Sequence, residues 1–201
     1  MLSNRLAKHF GAAAAAAVVV GSANAAIVAW ENCNLVIPNT IDGLYINVET
    51  RATGSAGAAV AGWDINPYSA TQLNWYNATG TGMMRYPGVT TGSAGNLAVG
   101  NVVGASGSFG SGAVVVGAAA GNWQLNATNR FGFRFVAASG GTRYGWGTFA
   151  IGSSITGADR TVTNIYFEDS GASITVGDTG VPAPGAIALL GLAGLAGRRR
   201  R

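Results

Sequence analysis

Histidine and lysine are almost absent from this chain: His9 is the only histidine and Lys8 the only lysine, so nothing after residue 9 carries either side chain. That gap excludes Ser-His-Asp and Cys-His catalysis, histidine-bound zinc and lysine Schiff bases for everything downstream. The single cysteine, Cys33, cannot close an internal disulfide and reads as a buried small residue, with an intermolecular bridge as the second reading. Charge is scarce too, at 10% of residues. Few Glu, Lys, Leu and Gln residues stand between the two ends, so long helices have little to form from.

What is present is most legible at the ends. The last stretch has Val181-Pro182-Ala183-Pro184, a thirteen-residue uncharged run 185–197, and Arg198, Arg199, Arg200 and Arg201. A bilayer core of roughly 30 Å needs ~20 helical residues, so the run alone is a marginal span of about 20 Å. Snorkelling arginines and local thinning extend its reach, and the positive-inside rule keeps the arginine cluster cytoplasmic. Pro182 and Pro184 break any helix upstream, making the tail a separate unit. A core helix of a soluble domain, a lasting anchor and a recognised, removable tail are the three readings; the terminal arginines speak against the first, and the weak span behind a proline step favours removal.

The front supplies the matching export signal. Arg5 and Lys8 form a basic region, residues 11–20 an apolar one, and Ala23-Asn24-Ala25 an A-x-A cleavage site that would leave Ala26 first. No lipobox precedes Cys33, which follows Trp30, Glu31 and Asn32.

On these residues, Val181-Pro182-Ala183-Pro184-Gly185 followed by the Gly/Ala/Leu run and the arginines, the tail closely resembles the PEP-CTERM sorting signal. The usual Pro-Glu-Pro has Ala183 at its centre here. The resemblance covers about a tenth of the chain. It implies export by a Gram-negative bacterium that makes exopolysaccharide, transient anchoring in the inner membrane, and processing near Pro182 to Pro184 by an exosortase. It gives an address and no activity.

The ends also hold the positive charge. Six of the twelve basic residues lie in them and all eight acidic residues lie between, so the middle carries a net charge of −2. The precursor's high pI is therefore no argument for nucleic acid, which is set aside as a partner.

The chain divides into an export signal (1–25), one domain (26–176), a flexible link (177–180) and the sorting tail (181–201). Gly-bounded β-branched and aromatic runs predict short strands over 44–50, 72–77, 83–86, 97–103, 113–116, 131–136, 143–151 and 161–168, with Ile174 and Val176 closing the domain. Phe131, Phe133 and Phe135 share one face, and Ser139-Gly140-Gly141-Thr142 predicts a hairpin turn. In 161–168 strict alternation places Val162, Asn164, Tyr166 and Glu168 opposite Thr163, Ile165 and Phe167. The expectation is an all-β antiparallel sandwich or jelly roll, with 88–121 either part of it or a loose insert. Gly132-Phe133-Arg134-Phe135 and Tyr144-Gly145-Trp146 also look like the end of the sandwich domain in some exported proteins bearing this tail.

Chemical motifs are few. Gly145-Trp146-Gly147-Thr148-Phe149-Ala150 fits a dinucleotide fingerprint but lies within a strand rather than between strand and helix. Asp64-Ile65-Asn66 reads as a solvated turn, lacking the acidic register of a calcium loop. Glu168 and Asp169 are neighbours that face opposite sides of a strand, and no motif marks a glycosidase pair. No metal, cofactor or catalytic residue is expected. Trp75, Tyr76, Trp123 and Trp146, flanked by amides, are the candidates for stacking on sugar rings, with core filling as the competing role. The leading reading is a non-enzymatic exported protein; a carbohydrate-binding module is the alternative, and a sandwich-fold hydrolase the third.

Overall fold

The strongest alternation in the sequence, Phe131-Gly132-Phe133-Arg134-Phe135, builds the centre of the fold. The computed structural model describes residues 26–157 and 159–180, so Ala23, Ala25, Val181, Pro182, Ala183, Pro184 and Arg198 to Arg201 lie outside the described residues. Strands β11 (Ala127–Val136) and β12 (Thr142–Ile151) form the expected hairpin, and β13 (Arg160–Glu168) pairs antiparallel on the other side of β12. The turn closes through Gly140 N–H to Ala137 O (2.8 Å) and Ala137 N–H to Gly141 O (3.0 Å), with both glycines at positive φ.

Around this hairpin the seven-stranded sheet runs β1-β13-β12-β11-β7-β9, with β2 sharing the β13 edge. Here β1 is Ile27–Trp30, β2 Leu35–Val36, β7 Gly82–Met84 and β9 Phe109–Gly110. A five-stranded sheet runs β10-β6-β5-β3-β4. Its strands are β3 (Tyr45–Ile46), β4 (Thr53–Gly54), β5 (Ile65–Tyr68), β6 (Asn74–Asn77) and β10 (Gly112–Ala113). A small ribbon pairs β8 (Val102–Val103) with β14 (Ile174–Thr175). Every strand pair is antiparallel. The described chain is all-β.

The two larger sheets share one core. Phe131, Phe133, Phe135, Phe149, Val162, Ile165 and Phe167 from the first pack with Ile46, Ile65, Leu73 and Trp75 from the second. Burying a large apolar side chain stabilises by about 1.5–3 kcal/mol, so this layer dominates the fold's energetics. The outer face of the seven-stranded sheet has its own core: Tyr144, Trp146 and Tyr166 lie under Leu97, Val103, Ile174 and Val176. The insert-like region 88–121 thus contributes buried residues and belongs to the domain.

Room for the phenylalanines comes from glycines on the paired strand. Phe133 pairs with Gly145 and Phe131 with Gly147. A Cβ on Gly145 would lie 2.3 Å from Phe133 Cζ, and one on Gly147 would lie 2.5 Å from Phe131 Cζ. The rings therefore lie across the positions where side chains would stand. That explains the G-x-G spacing of 145–147 without any nucleotide.

The strict alternation expected over 161–168 fails at a bulge. A β-bulge sits where Thr148 pairs Asn164 but Phe149 pairs Val162, leaving Thr163 as the extra residue. The bulge shifts the alternation, so Val162 joins Ile165 and Phe167 in the inter-sheet core instead of siding with Tyr166. Thr148 and Thr163 hydroxyls bond at 2.6 Å, and Asn164 Nδ2 donates to Thr148 Oγ1 at 2.8 Å, which fills the gap. The segment 177–180, expected as a flexible link, meets the domain at Asp178, whose carbonyl accepts Trp146 Nε1 at 2.9 Å.

Arg160, wholly buried, ties three loops together. Its guanidinium donates to Ser69 O (2.9 Å), Pro38 O (2.8 Å), Gln72 O (3.2 Å) and Ile155 O (3.4 Å). Burial pulls its pKa below the ordinary arginine value.

Gly147→Ala places a methyl group against both Phe131 and Asn164 O (2.6 Å). Such overpacking costs about 1–3 kcal/mol, and urea unfolding should show the midpoint falling accordingly. An unchanged midpoint would mean that the ring does not need the glycine.

Candidate functional site

On β6 the alternation sends Trp75 inward and Tyr76 outward, and this one step decides where an aromatic surface can form. Trp75 is 1% exposed, Trp123 0% and Trp146 4%. Trp75 packs 5.0 Å from Phe131 and 5.8 Å from Phe149, ring centroid to ring centroid. Trp123 donates Nε1 to Ala94 O at 2.9 Å within the same core. Trp146 stacks on Tyr166 at 4.6 Å beneath the β8–β14 ribbon. Their faces are covered by protein, so sugar stacking at Trp75, Trp123 and Trp146 is replaced by core filling. Only Tyr76, 55% exposed, keeps the role open.

Tyr76 has partners that the sequence pattern did not single out. Trp63, half-buried just before β5, lies 5.7 Å from Tyr76 and 5.0 Å from Tyr45, the latter edge-on. Tyr45 precedes the inward Ile46 on β3 and so faces out. The three rings form a row across the outer face of the five-stranded sheet. The 3-10 turn at Gly57–Ala59 backs them: a Cβ on Gly57 would meet Trp63 Nε1 and Tyr45 Cε1, each at 3.0 Å. Asn66 is opposite Tyr76 in the ladder, and Asn74 opposite Tyr68. The rings are not coplanar, Tyr45 standing at 79° and Tyr76 at 32° to Trp63, so a pyranose ring would stack on the exposed Tyr76 with Trp63 beside it.

Asp64 anchors the loop beside Trp63. Its Oδ2 accepts the Val48 N–H at 2.9 Å, while Asp64 N–H donates to Ile46 O at 2.8 Å. Asp64 is 5% and Asn66 2% exposed, and Asn66 Nδ2 donates to Asp42 O at 2.8 Å. The solvated turn expected over Asp64 to Asn66 is instead a buried strand start committed to backbone groups. Desolvation raises the Asp64 pKa from 3.8 to about 7, opposed by the Val48 hydrogen bond and assisted by Glu49.

Among the described residues no three His, Cys, Asp or Glu side chains converge to hold a metal ion. A groove of about 470 Å³ is lined by Tyr86, Val89, Asn101, Val102 and Ser108, with Arg85 as its charged member. That guanidinium is taken up by Gly92 O, Ser108 Oγ and Phe109 O, leaving the groove without an acid–base pair. Glu168 is 3% exposed and accepts Ser170 N–H at 2.9 Å, whereas Asp169 is exposed. The half-buried Cys33 thiol donates to Val162 O at 3.3 Å, and burial pushes its pKa up. Ala26 stands at the first strand's edge, within hydrogen-bond reach of Asp169.

The described residues thus define a class: an all-β domain of packed antiparallel sheets with an aromatic outer face. No family model, no curated protein and no solved structure matches the chain. Among the described residues no helix is long and apolar enough to cross a membrane.

Asp64 binds its proton more tightly folded than unfolded, so its contribution to stability is full below about pH 4 and is lost as pH rises through about 7. Asp64→Asn keeps an acceptor for Val48 and should flatten this decline in denaturant titrations between pH 4 and 8. An equal slope in both proteins would assign the pH dependence elsewhere.

Proposed function

We propose that the chain is a non-enzymatic exported protein, sorted to the cell surface or exopolysaccharide matrix by an exosortase-type system. In this reading the jelly-roll-like β-sandwich is the cargo, and signal peptidase, exosortase and the inner membrane are its partners during export. One observation supports it above the rest: the residues next to the two processing points meet on one edge of the fold. Ala26 leads directly into β1, and Gly180 lies so close to Ile27 that a Cβ there would sit 3.0 Å from Ile27 Cβ. Both cuts then fall at one edge of the fold. Mass spectrometry of the envelope or secreted form should give termini near Ala26 and within 182–185. An intact Arg198 to Arg201 end on mature protein would replace the removable tail with a lasting anchor.

The second reading, a carbohydrate-binding module held in exopolysaccharide, is favoured by the Tyr45–Trp63–Tyr76 row. Removing the ring loses its buried area as well as a stacking gain of about 0.5–1.5 kcal/mol, so Tyr76→Ala should weaken binding by at least roughly 2-fold. Tryptophan fluorescence titrated with the native exopolysaccharide reads this out. Absence of both a spectral shift and co-sedimentation in the unmodified protein would remove the reading.

A further inference from the structure

We infer that cleavage after Ala25 creates an ion pair between the new α-ammonium of Ala26 and the carboxylate of Asp169, and that this pair clamps the first strand to the sheet. The inference rests on the processing reading of the front segment and deepens it. In the structure Ala26 N–H donates to Asp169 Oδ1 at 3.0 Å, and Asp169 N–H donates back to Ala26 O at 3.1 Å. The two residues face each other one step beyond the Ile27–Glu168 pair. Hydrolysis of the Ala25–Ala26 amide adds water: its oxygen goes to the Ala25 carboxylate, and the nitrogen stays with Ala26 as an amine. An α-amine titrates near 7.7–8.0, so at neutral pH it is mostly ammonium. A hydrogen bond with one charged partner, the carboxylate, becomes an ion pair in which donor and acceptor are both charged, starting from a separation of 3.0 Å.

Register makes the site specific. A chain beginning at Ala25 carries its charge one residue away from Asp169, and one beginning at Ile27 has lost the donor. The clamp acts where the fold needs it. Strand β1 is four residues long, pairs within the sheet only with β13, and is the segment most exposed to fraying once the leader is gone. Yet its side chains serve both cores: Val28 and Trp30 pack on one, Ile27 and Ala29 on the other. Gly180 also rests on Ile27, so the strand that the pair holds is the one beside which the tail departs.

The sequence makes the test clean. Past Lys8 there is no lysine, so the Ala26 α-amine is the only primary amine of a chain cut after Ala25. Acetylation therefore modifies one nitrogen. The protein is the full processed chain from producing cells and, separately, residues 26–201 released from a fusion so that Ala26 is first whatever the cell does. In the native state, Asp169→Asn should raise the acetylation rate severalfold, up to about fivefold for an exposed pair. Acetylation should lower the melting temperature of the unmodified chain by one to a few degrees and that of the Asp169→Asn chain by less. A chain beginning at Ala25 should melt like the acetylated one. Equal rates and equal melting shifts with and without Asp169 would overturn the ion pair. Finding a terminus other than Ala26 on the cellular protein would instead sink the processing reading, leaving the result on the fusion-derived chain to stand by itself.

Discussion

Everything in this fold depends on three phenylalanine rings having room above a neighbouring strand. Phe131, Phe133 and Phe135 stack along β11 at 6.0 Å spacings, and Gly145 and Gly147 leave the space that the first two occupy. Without those absent side chains the sheets could not approach. With them, Trp75 packs on Phe131 at one end of the ladder and Phe167 on Phe135 at the other, with Phe149 against Trp75. Gly132 repeats the device on the opposite face, where a Cβ would meet Leu97 and Val103 at 2.8 Å each. A chain rich in glycine and poor in charge is thereby given a dense core on both sides of one sheet.

That arrangement also explains why the tryptophans are poor guides to binding. Their side chains are large enough that burying them is worth more than displaying them, and β6 can turn only one of Trp75 and Tyr76 outward. The ring left in view is the smaller one. It gains a neighbour in Trp63 because the buried Asp64 fixes the loop that presents it.

The long hairpin and β13 were legible in the sequence because each carries several alternations and a glycine turn. Strand β5 was not, since Asn66 and Pro67 are weak strand formers. Pro67 is tolerated because β3 meets β5 in register only at Ile46 and Ile65, and beyond that point Leu44 N–H reaches Pro67 O. The bulge at Thr163 was invisible for a similar reason: one extra residue changes the face of every residue before it, and no composition signal marks it. Asp64 read as part of a solvated turn because burial of a lone ionic group is disfavoured, and no pattern in the sequence marked Arg160. Their backbone partners come from loops as far away as Pro38 and Val48, which only the folded chain brings together. For the aromatic row, the outward phase of Tyr45 and Tyr76 was readable, but Trp63 lies outside any strand pattern.

The Phe–Gly ladder between β11 and β12 should be the last structure to be lost on unfolding, with the ribbon and outer loops opening first. Native-state hydrogen exchange measures this amide by amide. Amides of Phe131, Phe133 and Trp146 should exchange only by global unfolding, with free energies matching denaturant titration, while those of Val102 and Thr175 should open at lower cost. Equal or faster exchange in β11 than in the β8–β14 ribbon would contradict a fold built outward from the ladder.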